Sequence, residues 1–254
     1  AANTPATSCR YRMRAMRALL ATLAALGTLA LGTLAPGPLA AGTLAPAVLA
    51  ATTQAPSFDL LIRNGRIVEG NPWYRADIAI TGDRIRAVGS LPNATATTVI
   101  DAHDRYVTPG FIDVHSHAGP GLATQGLKQG QPLLAQGLTT VFVNPDGGGP
   151  IDLAAQRATF EKQHLGVNVG QFIPHGSIRR AVMDMTDRDP TPAELARMVE
   201  LSRKGMVDGA VGRSSGLYYA PGSYSKTAEV VAMARATAPY GGVYQSHIRD
   251  ESDY

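Results

Sequence analysis

An apolar run ends in two imidazoles two residues apart at Pro109-Gly110-Phe111-Ile112-Asp113-Val114-His115-Ser116-His117. Along a β-strand, residues i and i+2 face the same way, so His115 and His117 can reach one metal ion from the end of a single strand. A helix would turn such a pair apart. Neutral imidazole is a common metal ligand, and the alternative reading is a structural histidine pair. The preceding Pro-Gly, the strand-like apolar residues and Asp113 favour the metal reading. A fold that uses this motif must present a strand end to an open site.

The chain around the motif has the texture such a fold requires. Leu138 to Val143 is a β-branched strand after a helix expected to end at Gly137, and Val167 to Pro174 is another strand. Thr191-Pro192-Ala193-Glu194 combines an N-cap hydroxyl, proline at the first helical position and glutamate three residues after the cap. That helix is expected to run to about Lys204 and stop at Gly205. Ala210 to Arg213 reads as a strand, Thr227 to Ala238 as a helix and Gly242 to Ile248 as a strand. Strands alternating with helices predict a parallel β/α architecture. A complete (β/α)8 barrel takes about 250 residues, so 109–254 supplies about half of one, and the chain reads as the N-terminal part of a longer protein.

Residues 57–108 have a different pattern. Phe58 to Val68 reads as two short strands hinged by Asn64-Gly65, and Asp77 to Val88 as a hairpin around Thr81-Gly82-Asp83. Thr98 to Ala102 and Arg105 to Thr108 are further extended pieces, which together predict a small β-sandwich module.

Residues 1–56 form a leader whose composition distorts the whole-chain charge. Four arginines fall between Arg10 and Arg17, and no acid precedes Asp59. The chain of 254 residues carries a net charge of +3; setting the leader aside removes those four arginines and no acid, leaving −1. The remaining basic residues are interspersed with acids, which excludes a nucleic-acid surface. Met13-Arg14-Ala15-Met16-Arg17 followed by the uncharged Ala/Leu-rich Ala18 to Ala35 predicts a secretory signal, cleaved between Ala41 and Ala55, and a secreted or periplasmic protein. The competing reading is an uncleaved membrane anchor, but Gly and Pro interrupt the apolar run that a spanning helix needs. No stable membrane insertion is expected after cleavage. The single cysteine, Cys9, lies upstream of the expected start, so neither a disulfide nor a thiolate ligand is expected beyond it.

Barrel enzymes place their chemistry at the C-terminal ends of the strands, and polar residues recur there. His115 and His117 end the first strand, Asp146 follows the second and His175 the third. Ser214-Ser215-Gly216-Leu217-Tyr218-Tyr219-Ala220-Pro221-Gly222 follows the fourth, and His247 closes the fifth within Ser246-His247-Ile248-Arg249-Asp250-Glu251. Asp146 can be a metal-binding carboxylate or a turn-former before Gly147-Gly148-Gly149, and those glycines read as a flexible loop rather than an anion cradle. His175 is expected to contact substrate or support a ligand. Arg249, Asp250 and Glu251 read either as partners of His247 or as a solvated charge run. His103 and His164 are expected to face solvent.

These strings together resemble the N-acyl-D-amino-acid deacylase branch of the amidohydrolases over about Phe58 to Tyr254. The most specific are Gly-Phe-Ile-Asp-Val-His-Ser-His, Ser-Ser-Gly-Leu-x-Tyr-x-Pro-Gly and Ser-His-Ile-Arg-Asp-Glu. The resemblance implies an α/β fold, a partial (β/α)8 TIM-like metal-dependent hydrolase barrel, with one or two zinc ions and a small-molecule substrate. It implies that His115, His117 and His247 are zinc ligands and that Tyr219 orients the substrate. The family's usual cysteine ligand aligns with Asp146, a departure that leaves a carboxylate in its place. A further histidine, the catalytic aspartate and a substrate-binding arginine would come from strands beyond Tyr254. The implied reaction is hydrolysis of a linear amide, deacylation of N-acyl-D-amino acids. Related dipeptidases and cyclic-amide hydrolases, and a non-catalytic secreted binding protein or truncated product, are the alternatives.

Overall fold

The computed structural model describes residues 57–70 and 72–252; the expected leader, with its charged start, apolar core and Cys9, lies outside the described residues. These residues fall in one compact unit, Gln54–Tyr254. No helix among them is long and apolar enough to cross a membrane.

The N-terminal module consists of β1 (Ser57–Ile67), β2 (Tyr74–Thr81), β3 (Arg84–Gly89), β4 (Thr95–Asp101) and β5 (Tyr106–Val107). They form one mixed sheet in the order β3-β2-β1-β4, with β5 also beside β1, so the expected sandwich is represented here by a single sheet. Ile67, Ala76 and Ile78 form its buried core. Asn64-Gly65 does not separate two strands. Asn64 takes a left-handed φ of 57°, and the β1–β2 register shifts between Ile62 and Gly65. The pair is therefore a bulge within one strand. It is anchored because the Asn64 backbone N–H donates to Asp77 at 3.0 Å and its side-chain amide to Asp101 at 3.1 Å.

The second part is a parallel sheet of β6 (Phe111–Asp113), β7 (Leu138–Val143), β8 (Asn168–Pro174), β9 (Gly212–Gly216) and β10 (Val243–His247). Its order, β10-β9-β8-β7-β6, follows the chain, and every adjacent pair is parallel. Between strands lie α1 (Gly119–Leu122), α2 (Gln131–Leu134), α3 (Leu153–Gln163), α4 (His175–Met183), α5 (Pro192–Val207) and α6 (Thr227–Thr237). The sheet curls enough that the Gln245 side chain of β10 donates to the Val114 carbonyl just beyond β6 at 3.0 Å. Leu153, Ile173, Ile178, Met183, Met198, Met206 and Met233 make one apolar cluster between helices and sheet. Val141, Val143, Leu122, Phe160 and Val167 make a second.

Two expected boundaries move, each for a physical reason. The fourth strand is Gly212–Gly216 rather than Ala210–Arg213, so Ser214 and Ser215 lie inside it and are fully buried. Serine reads as a loop residue, but here each hydroxyl is satisfied within the sheet region. Helix α5 runs through Gly205 to Val207. Gly205 is not a stop; a Cβ there would stand 2.5 Å from Ile173 Cγ1, so it lets the helix pack closely on β8.

The start of α5 is as the sequence predicts. Thr191 accepts from the Glu194 backbone N–H, while the Glu194 carboxylate accepts from the Thr191 N–H at 2.7 Å. Arg188, and then the Thr191 cap, hold the Glu194 carboxyl down at about 2. Replacing Thr191 with Ala in the full-length protein is expected to cost about 1 kcal/mol of stability, as a lower midpoint in chemical denaturation.

Candidate metal centre and adjoining cavity

His115 and His117 do not sit on the strand itself. β6 ends at Asp113, and the chain bends at Val114 and His115 before His117. The Ser116 N–H donates to the Phe142 carbonyl at 2.9 Å, which holds the segment alongside β7 beyond the strand's assigned end. The two rings lie 5.5 Å apart between centroids. Their Nε2 atoms stand 3.2 and 3.0 Å from Asp146 Oδ2. Among the described residues these three form a group whose ligand atoms all lie within 4.8 Å of one another.

Asp146 is delivered by a loop that is held firmly rather than left flexible. Asn144, Asp146 and Gly147 have φ of 62°, 54° and 69°, so three residues take left-handed conformations that only external contacts would maintain. Asn144 and Gln156 exchange side-chain amide hydrogen bonds at 2.9 and 3.0 Å. Ser214 Oγ donates to the Asn144 carbonyl at 2.6 Å and accepts from the Gly147 N–H at 3.1 Å. The Ser177 N–H donates to the Gly147 carbonyl at 3.0 Å. Gly216 lies under the loop, where a Cβ would come within 2.2 Å of the Asp146 carbonyl oxygen. Asp146 therefore shapes a turn while its carboxylate faces both imidazoles.

The donor set suits a divalent metal. Two imidazoles and a carboxylate are ordinary zinc ligands. Asp146 Oδ1 is buried without a hydrogen-bond partner among the described residues, a costly arrangement for a carboxylate that has no cation nearby. His247 lies outside the group of three. Its ring is 4.8 Å from that of Tyr219 and 5.5 Å from that of Tyr218. Its Nδ1 is 3.0 Å from the Ile248 carbonyl, and its Nε2 is 3.3 Å from Glu251. Of the two readings of the charged tail, the structure pairs Glu251 with His247. Tyr219 lines the cavity beside the metal group, together with His117 and Asp146.

His175 is not at the mouth, where the sequence reading put it. It is fully buried as the first residue of α4, and its Nε2 lies 2.8 Å from Glu229 of α6. Glu229 also pairs with the fully buried Arg179. Burial, above all, pushes the His175 pKa below the ordinary histidine range. Burial also brings the nearby Arg213 down to about 10, so it stays charged at neutral pH. The cluster joins α4 to α6, and α4 in turn supplies the Ser177 N–H that holds the Asp146 loop. The sequence reading missed Glu229; its signal is a lone acid ahead of an apolar run, Glu229-Val230-Val231-Ala232-Met233. His103 and His164 are exposed, as expected.

Parallel strands with imidazole and carboxylate donors gathered past their C-terminal ends define a partial barrel of the metallohydrolase type. Residues 98–238 match the Amidohydrolase family, and the chain belongs to that family. It is similar to the D-aminoacylase of Alcaligenes xylosoxydans xylosoxydans, 32% identical over 78% of this chain and 46% of that protein. The N-acyl-D-glutamate deacylase of the same organism is 35% identical over 78% of this chain and 45% of that protein. Among solved structures, the N-acyl-D-glutamate deacylase of Bordetella bronchiseptica superposes with a TM-score of 0.73 at 32% identity, covering 78% of this chain and 46% of that one. That structure is a complex with zinc and a phosphonate inhibitor. The chain thus spans about half the length of the relatives it matches. Within that family its relatives include the D-aminoacylases and N-acyl-D-glutamate deacylases.

Two outcomes follow for the full-length protein. Gly216→Ala should push the Asp146 loop away and weaken zinc binding about tenfold or more in chelator competition. Gly148→Ala, whose Cβ would meet nothing closer than 3.9 Å, should change it little. Because native His175 resists a proton that the unfolded chain takes up near about pH 6.5, stability is lost as pH falls below that value. Melting temperatures between pH 7.5 and 5 should fall more steeply for wild type than for His175→Gln.

Proposed function

We propose that the full-length protein hydrolyses linear amide bonds with zinc, removing the acyl group from N-acyl-D-amino acids. The observation that carries this reading is the convergence of His115, His117 and Asp146 past the ends of parallel strands, beside a cavity that Tyr219 also lines. The three side chains would hold the metal. Zinc bound there supplies Lewis acidity, polarising an amide carbonyl and acidifying water.

This chain's residues account for the rest of what can be derived. Ser214, Ser177 and Gly216 keep the Asp146 carboxylate aimed at both imidazoles. The Tyr219 phenol, at the cavity wall, is placed to orient a carbonyl oxygen by hydrogen bonding. His247, edge-to-face with Tyr219, is the fourth ligand candidate, although its Nε2 faces Glu251 in the present arrangement. Preference for the D configuration is supported by similarity to D-aminoacylases. Export of the protein remains part of the proposal and rests on the leader sequence alone.

The test is zinc content and hydrolysis of N-acetyl-D- and N-acetyl-L-amino acids by the full-length protein, beside a His115→Ala/His117→Ala variant. About one zinc or more per chain, with cleavage of the D series, is expected, and the double variant should lose both. A folded full-length protein that binds no zinc and cleaves no amide would sink the reading.

A further inference from the structure

Beside the metal group lies a cavity of about 910 Å3. His117 and Asp146 form one part of its wall, and Arg180 of α4 another. Arg180 is the one lysine or arginine among the described residues that line it. Its neighbour Arg179 is buried and turned inward, its two terminal nitrogens bonded to Glu229 and to the carbonyls of Thr186 and Arg188, the latter two at 3.3 and 2.7 Å. Arg180 has the opposite fate. Among the described residues its guanidinium has no hydrogen-bond or ion-pair partner, and the side chain is exposed.

The acids that share the cavity do not claim this charge. Asp146 directs Oδ2 at two imidazoles. Asp152 caps α3, accepting from the Ala155 N–H at 3.0 Å, where the helix N-terminus offsets its negative charge. A planar guanidinium left free at a concave wall is suited to grip a carboxylate through two parallel hydrogen bonds. Ser177, whose Oγ accepts from the Gly149 N–H at 3.2 Å, lines the same cavity and keeps its hydroxyl proton available for a ligand oxygen.

We propose that Arg180 makes this cavity a carboxylate subsite, so that the favoured substrates carry a second carboxylate, on the amino-acid side chain or on the acyl group, besides the α-carboxylate. This inference rests on the amide-hydrolase reading above. The cavity adjoins His117 and Asp146, so a substrate whose scissile amide lies at the metal group can extend one arm into it.

The experiment uses the zinc-loaded full-length protein, its Arg180→Gln and Arg180→Lys variants, and two matched substrate pairs. N-acetyl-D-glutamate against N-acetyl-D-glutamine places the charge on the side chain. N-succinyl-D-alanine against its neutral succinamoyl counterpart places it on the acyl group. Arg180→Gln should lower the charged-to-neutral ratio of kcat/KM about 10- to 100-fold in one pair, which identifies the arm, and Arg180→Lys should recover part of it. Ratios unchanged in both pairs would overturn the proposal. If wild type cleaves none of the four, the hydrolase reading fails, and calorimetric binding of glutarate decides the subsite separately. Binding by wild type that weakens at least tenfold in Arg180→Gln supports it; equal binding, or none to either protein, refutes it.

Discussion

Ser214 makes one hydroxyl serve two backbone groups of the same loop, donating to Asn144 and accepting from Gly147. Between those two residues stands Asp146, with a positive φ on either side of Pro145. Left-handed backbone at residues other than glycine is unfavourable unless its surroundings enforce it, and here they do so with side chains from β9 and α3 and an N–H from α4. The position of the Asp146 carboxylate depends on that clamp. Without it the carboxylate would be a solvated turn residue, and the two imidazoles would have only each other.

The clamp shows why the fourth strand is polar. A parallel strand covered on both faces is ordinarily a run of Val, Ile and Leu, yet β9 reads Gly-Arg-Ser-Ser-Gly and is buried throughout. Gly216 admits the loop backbone, Ser214 binds it, and Ser215 links to Tyr244 and Ser246 of the next strand at 2.6 and 2.8 Å. Arg213 donates to the Val230 carbonyl of α6 at 2.8 Å. Each residue forgoes apolar packing for a specific bond, so the strand works as a connector between the loop, the next strand and the helix layer.

Much of this was legible before any coordinates. The Leu138–Val143 strand, the Thr191–Glu194 cap and the His-x-His pair carry local chemistry that tertiary context did not override. Apolar periodicity and side-chain hydrogen bonding within four residues are properties of short sequence windows. The misread places all depend on partners far along the chain. Ser214 and Ser215 resemble a loop until Asn144 and Tyr244 are beside them, and Gly205 resembles a helix stop until Ile173 is against it. Asn64-Gly65 resembles a hairpin turn until Asp77 and Asp101 satisfy its polar groups. His175 looked like a site residue because it follows a strand; only the approach of Glu229 from α6 shows that it belongs to the interior. Of the candidate site, the three clustered donors stood out by strand-end position and Tyr219 only through the family resemblance, whereas Arg180 was hidden because nothing in Arg179-Arg180 says which of the two is buried.

The parallel sheet also bears on how the molecule is made. Its spatial order repeats the order of synthesis, each strand lying against the one before it. A newly emerged β/α unit therefore finds its docking edge already built, and no strand must wait for a later one to be inserted between it and its predecessor. Pairings of short sequence separation close cheaply, which suits assembly in step with the ribosome. The Asp146 loop departs from this scheme. Its hydrogen bonds reach forward to Ser177 and Ser214, so the Asp146 carboxylate takes its final position only after the chain has been translated two strands beyond it.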